Sequence, residues 1–249
     1  MDGWIQKNRA KHQSIFALAD DVNDLCHTSM FELEPHSRVI HEMLASTLYL
    51  RVVSNYQGTV LLLERGMMSE SRVLARAMLE AIFSLVAIGN DPSLAYDYVY
   101  EDRNSRLKFL QKFMELHHGK LPEGSSETEI QKLEKELKDD IVSNPRKVRT
   151  TKEWAQEADL LSWYLTAYPL LSMSVHSKVR DLEQYLILDD KGEIKEFKWG
   201  PDDTGVEIVL FTIIEGLLIS LKSVLGVFKK DKNEQIDCLR GRLTTFVGK

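Results

Sequence analysis

Two sets of polar side chains recur at four-residue intervals inside otherwise apolar stretches. Arg72, Arg76, Glu80 and Ser84 interrupt a run containing Val73, Leu74, Met78, Leu79, Ile82 and Phe83. Ser172, His176 and Arg180 do the same in the stretch that begins Tyr168-Pro169-Leu170-Leu171. Four-residue spacing stacks side chains on one face of an α-helix. On such a face an arginine can stabilise developing charge on a phosphate, and a histidine can act as a general base. Lys is absent from Met67 to Asp91, which sets the first stripe apart from an ordinary solvated face. Arg and Glu placed among apolar residues are nearly always paired. The expectation is therefore two partly buried stripes facing a shared interior site. Arg76, Glu80, Ser172 and His176 are its catalytic candidates, and Arg72, Arg103 and Arg180 its ligand contacts. The competing reading makes the stripes a structural network in a non-catalytic module that binds a ligand or a partner protein.

Other chemistries find little support. The sequence contains no G-x-x-x-x-G-K-[ST], G-x-G-x-x-G, H-E-x-x-H or G-x-S-x-G, so the phosphate-binding loops, zinc-protease helix and hydrolase elbow are missing. Glu115 to His118 is the single E-x-x-H, and a di-iron bundle needs two. Cys26 and Cys238 have no partner at metal-ligand spacing and are expected to be reduced thiols. No metal site and no cofactor are expected. His117-His118 suits a helix C-terminus, where the cation complements the macrodipole. Tyr96, Tyr98 and Tyr100 precede Arg103 and Arg106 within reach of a ligand, although packing alone explains alternating tyrosines.

The elements that position these residues are helices. Periodic apolar residues predict helices over Trp4–His27, His36–Arg65 and Ser69–Ile88, with Pro35 in the first turn of the second and Gly66 ending it. A fourth helix starts at Asp91-Pro92 and reaches His118. A highly charged helix from Ser126 to Ser143, opened by a Ser126/Glu129 capping box, forms a surface hairpin over about 120–150. After Asn144-Pro145 comes a basic linker of Arg146, Lys147, Arg149 and Lys152. Thr151 caps a helix to about Leu165, Pro169 kinks or restarts the chain, and Leu170–Tyr185 is helical again. Alternation around Asp190-Lys191-Gly192 predicts a β-hairpin at 187–199. Val206–Phe228 and Lys232–Phe246 complete the set. The fold class expected is all-α, a single domain of about eight helices over residues 1–249 around the central apolar helix 206–228.

Charge and targeting bound the setting. Lys plus Arg total 32 against 38 Asp plus Glu, a net charge of −6, which argues against coating nucleic acid through excess cations. Met1–Arg9 has no apolar core of a signal peptide. Glu207, Glu215 and Lys222 within Val206–Phe228 favour a core helix over a membrane span. The expected location is the cytoplasm, away from membranes, with a homodimer as one arrangement open to the apolar C-terminal helices.

Three short motifs carry a resemblance. Leu61–Gly66 (L-L-L-E-R-G), Arg76–Ala81 (R-A-M-L-E-A) and Leu171-Ser172-x-x-Val175-His176 resemble an uncharacterised bacterial all-helical family, one of the domains of unknown function, over about residues 40–225. The matching positions are Arg76, Glu80, Ser172 and His176. The chain is also loosely similar to HEPN-type helical bundles. That resemblance implies a toxin or phage-defence effector acting on RNA or a nucleotide. The HEPN ribonuclease signature is Arg, four to six intervening residues, then His on one helix. None of His12, His27, His36, His41, His117, His118 and His176 has Arg five to seven positions before it.

Overall fold

The computed structural model describes residues 2–116, 127–175 and 179–246. The fold is all-α with one small antiparallel hairpin. The helices are α1 (Asp2–Lys11), α2 (Gln13–Met30), α3 (Ile40–Glu64), α4 (Met68–Asn90), α5 (Leu94–Leu116), α6 (Glu127–Ser143), α7 (Thr151–Glu157), α8 (Leu161–Leu165), α9 (Ala167–Val175), α10 (Val179–Leu182), α11 (Val206–Val227) and α12 (Asn233–Thr244). Strands β1 (Leu186–Leu188) and β2 (Ile194–Phe197) pair with Leu186 opposite Phe197 and Ile187 opposite Glu196.

The long helices α3, α4 and α11 pack against one another at the centre of the bundle. α4 lies against α3 and α11, and α11 also touches α2, α3 and α12. Both α4 and α11 are long and apolar enough to cross a membrane, yet most of each lies buried within the bundle. Met78, Leu79, Phe83, Leu210, Ile213, Ile214 and Leu217 are fully enclosed. Two buried tyrosines of α3 dispose of their hydroxyls on α2: Tyr49 donates to the Cys26 carbonyl at 3.0 Å and Tyr56 to that of Ala19 at 2.8 Å. Each ring thus fills core volume without leaving an orphaned polar atom. Burial pushes the Cys26 thiol up to about 12, against the opposing hydrogen bond with Tyr49.

Several boundaries differ from the sequence reading, each for a local reason. The first helix breaks at His12 into α1 and α2. Pro35 lies ahead of α3, which begins at Ile40 after a turn closed by Val39 N–H to His36 O. The N-cap of α4 is Met67, with no side-chain cap from Ser69; the Ser69 hydroxyl bonds Asp181 instead. Thr150, not Thr151, caps α7, in a reciprocal box with Glu153. The segment expected at 151–165 divides into α7 and α8, and in the one expected at 170–185 the last α-helical residue is Leu182, with a 3₁₀ turn over Glu183–Tyr185; Pro169 lies in the first turn of α9, where a missing N–H is harmless. α6 runs beside α5, as the charged hairpin requires. The expected loop 120–126, the Ser126 cap, His117-His118 and His176 lie outside the described residues.

Candidate functional site

The first stripe of α4 sits at its seam with α9 and α10. Helical periodicity turns Ala75, Met78, Leu79 and Ile82 inward and leaves Arg72, Arg76 and Glu80 on the flank, half-buried. The Arg76 guanidinium donates through Nη2 to the Tyr168 hydroxyl at 2.7 Å and lies 3.1 Å from Glu80 Oε1. Tyr168 in turn donates to Glu80 Oε1 at 2.7 Å. The three side chains close a triangle, and Arg76 also stands 5.0 Å above the Tyr168 ring. Burial raises the Tyr168 pKa, as does the Glu80 carboxylate accepting its proton, while Arg76 opposes. One turn earlier, Arg72 reaches 3.9 Å from Asp181. That buried carboxylate accepts hydroxyls from Ser174 at 2.6 Å and Ser69 at 3.0 Å.

The candidates from the sequence are thus only partly brought together. Arg76 and Glu80 pair on one helix. Ser172 lies on α9, where its hydroxyl donates to the Tyr168 carbonyl at 2.7 Å. Arg103 pairs with Asp140 of α6, apart from the α4–α9 seam. Arg180 falls within α10, its side chain outside the described residues, as is His176. The residues that tie α9 and α10 to α4 are neighbours of the predicted ones: Tyr168, one turn before Ser172, and Asp181, directly after Arg180. Among the described residues no three His, Cys, Asp or Glu side chains gather where a metal ion could be held.

The other flank of α4 opens on a cleft of about 650 Å³, within the range of small-molecule sites. α3 contributes Leu48 and Arg51, α4 Ala77, Glu80, Ala81 and Ser84, α5 Tyr98 and Glu101, and the start of α7 Arg149, Thr150, Thr151 and Trp154. Trp154 donates its indole N–H to Glu101 Oε2 at 3.3 Å and meets the Tyr98 ring edge-on at 5.7 Å. Arg149 is held by Asp97 and, at 3.2 Å, by Glu157, and lies 5.5 Å over the Trp154 ring. Arg51 is exposed and has no carboxylate partner among the described residues. Glu153, closing the cap of α7, is held down at about 2 by Lys147 and by the Thr150 N–H and hydroxyl. The basic linker and the tyrosine run were the sequence signals for this cleft; nothing in the local pattern showed that Arg51, far earlier in the chain than Arg149, lines it too.

A family model described as "Family of unknown function (DUF5677)" matches residues 42–194. The chain belongs to that family. No curated protein and no solved structure matches it. The DUF5677 region runs from the start of α3 to the start of β2, so it contains both the α4–α9 seam and every residue of the cleft. α1, α2, α11 and α12 lie outside the matched span and complete the core around it.

The triangle on α4 makes a direct prediction about stability. Arg76→Ala and Glu80→Ala are each expected to cost about 1 kcal/mol, the usual size of a partly exposed hydrogen-bonded contact. The double variant is expected to cost less than the sum by at least ~0.5 kcal/mol, because either single change already dissolves the shared contact. Urea unfolding of the four proteins measures this; strict additivity would show that the residues do not act as a unit.

Proposed function

We propose that this DUF5677 protein is a non-catalytic binding module whose cleft takes a compact anionic ligand of the nucleotide class. The observation that carries the reading is Arg51, a guanidinium without a carboxylate partner among the described residues, at a cleft whose walls also hold aromatic rings and two carboxylates. An unpaired arginine is the preferred partner for a phosphate, which it meets with two parallel N–H donors. Tyr98 and Trp154 supply apolar wall, and the hydroxyls of Ser84, Thr150 and Thr151 supply orienting contacts. Arg76 and Glu80 then serve as a strut between α4 and α9. The rival reading is a toxin- or defence-type effector that turns over RNA or a nucleotide at Arg76, Glu80, Ser172 and His176. It needs the Ser172 hydroxyl to leave its backbone acceptor, while Arg76 could act through donors other than the Nη2 that holds Tyr168 and Glu80.

Titration of the intact protein with purine and pyrimidine monophosphates, followed by tryptophan fluorescence and calorimetry, tests the proposal. Saturable binding is expected, weakened about tenfold or more in Arg51→Ala, in line with loss of one charge-assisted contact. Because Arg51 is exposed and without a carboxylate partner among the described residues, the thermal midpoint of the free variant should not move. Absence of binding to every nucleotide overturns the reading. Hydrolysis of RNA or nucleotide that disappears in Arg76→Ala transfers the assignment to the effector reading.

A further inference from the structure

We infer that the cleft selects a base presenting adjacent hydrogen-bond donors, guanine above all, with Glu101 as the residue that sets the choice; the inference rests on the nucleotide reading above. Glu80 and Glu101 come from different helices and both line the cleft. Each has one oxygen already engaged: Glu80 Oε1 by Tyr168 and Arg76, and Glu101 Oε2 by the Trp154 indole. Among the described residues, the opposite oxygen of each carboxylate has no bond to a protein donor. A carboxylate only accepts, so a ligand that meets this wall directly does so with hydrogen-bond donors. Arg51 and Glu101 thus ask for opposite ends of one molecule, an anion at the first and donors at the second.

Among nucleobases the demand is selective. Guanine offers N1–H beside its 2-amino group, two parallel donors that a single carboxylate accepts together, the indole-bound oxygen of Glu101 using its second lone pair. Hypoxanthine keeps N1–H and lacks the amino group. Adenine and cytosine set an amino donor next to an acceptor nitrogen, which repels the second carboxylate oxygen. Uracil has one N–H between two acceptors. The indole bond holds Glu101 by one oxygen and so restricts its carboxylate, which favours a ligand matched to that orientation. Ala77 and Ala81, one turn apart on α4, leave a small-residue floor beside Glu80.

The experiment compares GMP with IMP, AMP and UMP on the wild-type protein by calorimetry, then repeats the series on Glu101→Gln. The carboxamide oxygen of that variant can still accept from Trp154, so near-ultraviolet circular dichroism should keep its Trp154 signature. GMP is expected to bind about tenfold or more tightly than IMP, the scale of one hydrogen bond to a charged acceptor. In Glu101→Gln that preference should shrink toward unity: both ligands lose the acceptor for N1–H, and GMP, which also loses the acceptor for its amino group, weakens more than IMP. Equal affinity of GMP and IMP for the wild type, alongside binding that still depends on Arg51, overturns the base assignment and leaves the nucleotide reading standing. No binding by any of the four overturns both. The wild-type GMP-to-IMP ratio decides the matter even if the variant folds poorly.

Discussion

Replacing Asp97 by asparagine is expected to lower the stability of the protein by about 3 kcal/mol, and its melting temperature by roughly 6–12 °C for a chain of this size. Asp97 stands in the first turn of α5, and Arg149 in the linker before α7. Their side chains retain 11% and 9% of their exposure, so the pair is nearly desolvated. Removing one member of such a pair leaves the other charge buried with too little compensation, which outweighs whatever net gain the intact pair provides. Here Arg149 would keep Glu157, which is 40% exposed and a weaker counterion. The variant also removes a carboxylate from a helix N-terminus, where it complements the macrodipole. Arg149→Met is expected to be similarly harmful, since it strands Asp97. The double variant Asp97→Asn/Arg149→Met should recover at least ~1 kcal/mol relative to the sum of the singles. Calorimetric melting of all four proteins checks this. Midpoints within about 2 °C of one another, well under the shift a ~3 kcal/mol loss produces, would mean that the pair is solvated and contributes nothing. Because Arg149 lines the cleft beside Trp154, Asp97→Asn should also alter the tryptophan emission of the folded protein.

The helices were legible because apolar periodicity is a local property that burial enforces. α3, α4, α5 and α11 stand where the pattern placed them, within a few residues. The errors collect where a side chain has two uses. Ser69 has the chemistry of a helix cap, yet its hydroxyl is engaged by Asp181, 112 positions away. Thr150 and Thr151 are equally good caps by type; the reciprocal contact with Glu153 selects the first. The site was readable to a similar degree. Its Arg76–Glu80 pair follows from four-residue spacing. Tyr168 and Asp181 were missed because their roles depend on α9 and α10 folding back against α4, which no local pattern encodes. Arg51 carries no sequence signal of its own; only the arrival of α5 and α7 beside it makes it part of a cleft.

Long-range control of that kind is sharpest at Gly66, where substitution by valine is expected to cost about 3 kcal/mol. The residue has φ of +68° and ends α3: its N–H bonds Leu63 O at 3.0 Å, and Met67 N–H bonds Leu62 O at 3.0 Å. This is the Schellman pattern, which needs a left-handed residue at that position. A side chain there carries a first penalty of about 1–2 kcal/mol from backbone sterics, largest for a β-branched residue. A second penalty comes from across the chain. A Cβ on Gly66 would stand 2.6 Å from Pro201 Cβ and 2.7 Å from the Asp202 nitrogen, so the 201–202 backbone must retreat. That retreat breaks the bond from Asp202 N–H to Gly66 O, now 2.9 Å. It also disturbs the turn in which Asp202 accepts from Thr204 just before α11 begins. Gly66→Val should therefore unfold at lower urea and expose the 186–202 arm to proteolysis before the rest of the chain. Gly241→Ala is the control, because it lies inside α12 with nothing within 4 Å of a new Cβ; it should gain up to ~1 kcal/mol. If Gly66→Val and Gly241→Ala shift the urea midpoint alike, the turn does not lock the hairpin return to α3. If only the first falls, with cleavage confined to the arm, the contact between residue 66 and residues 201–202 is what holds the entry to α11 in place.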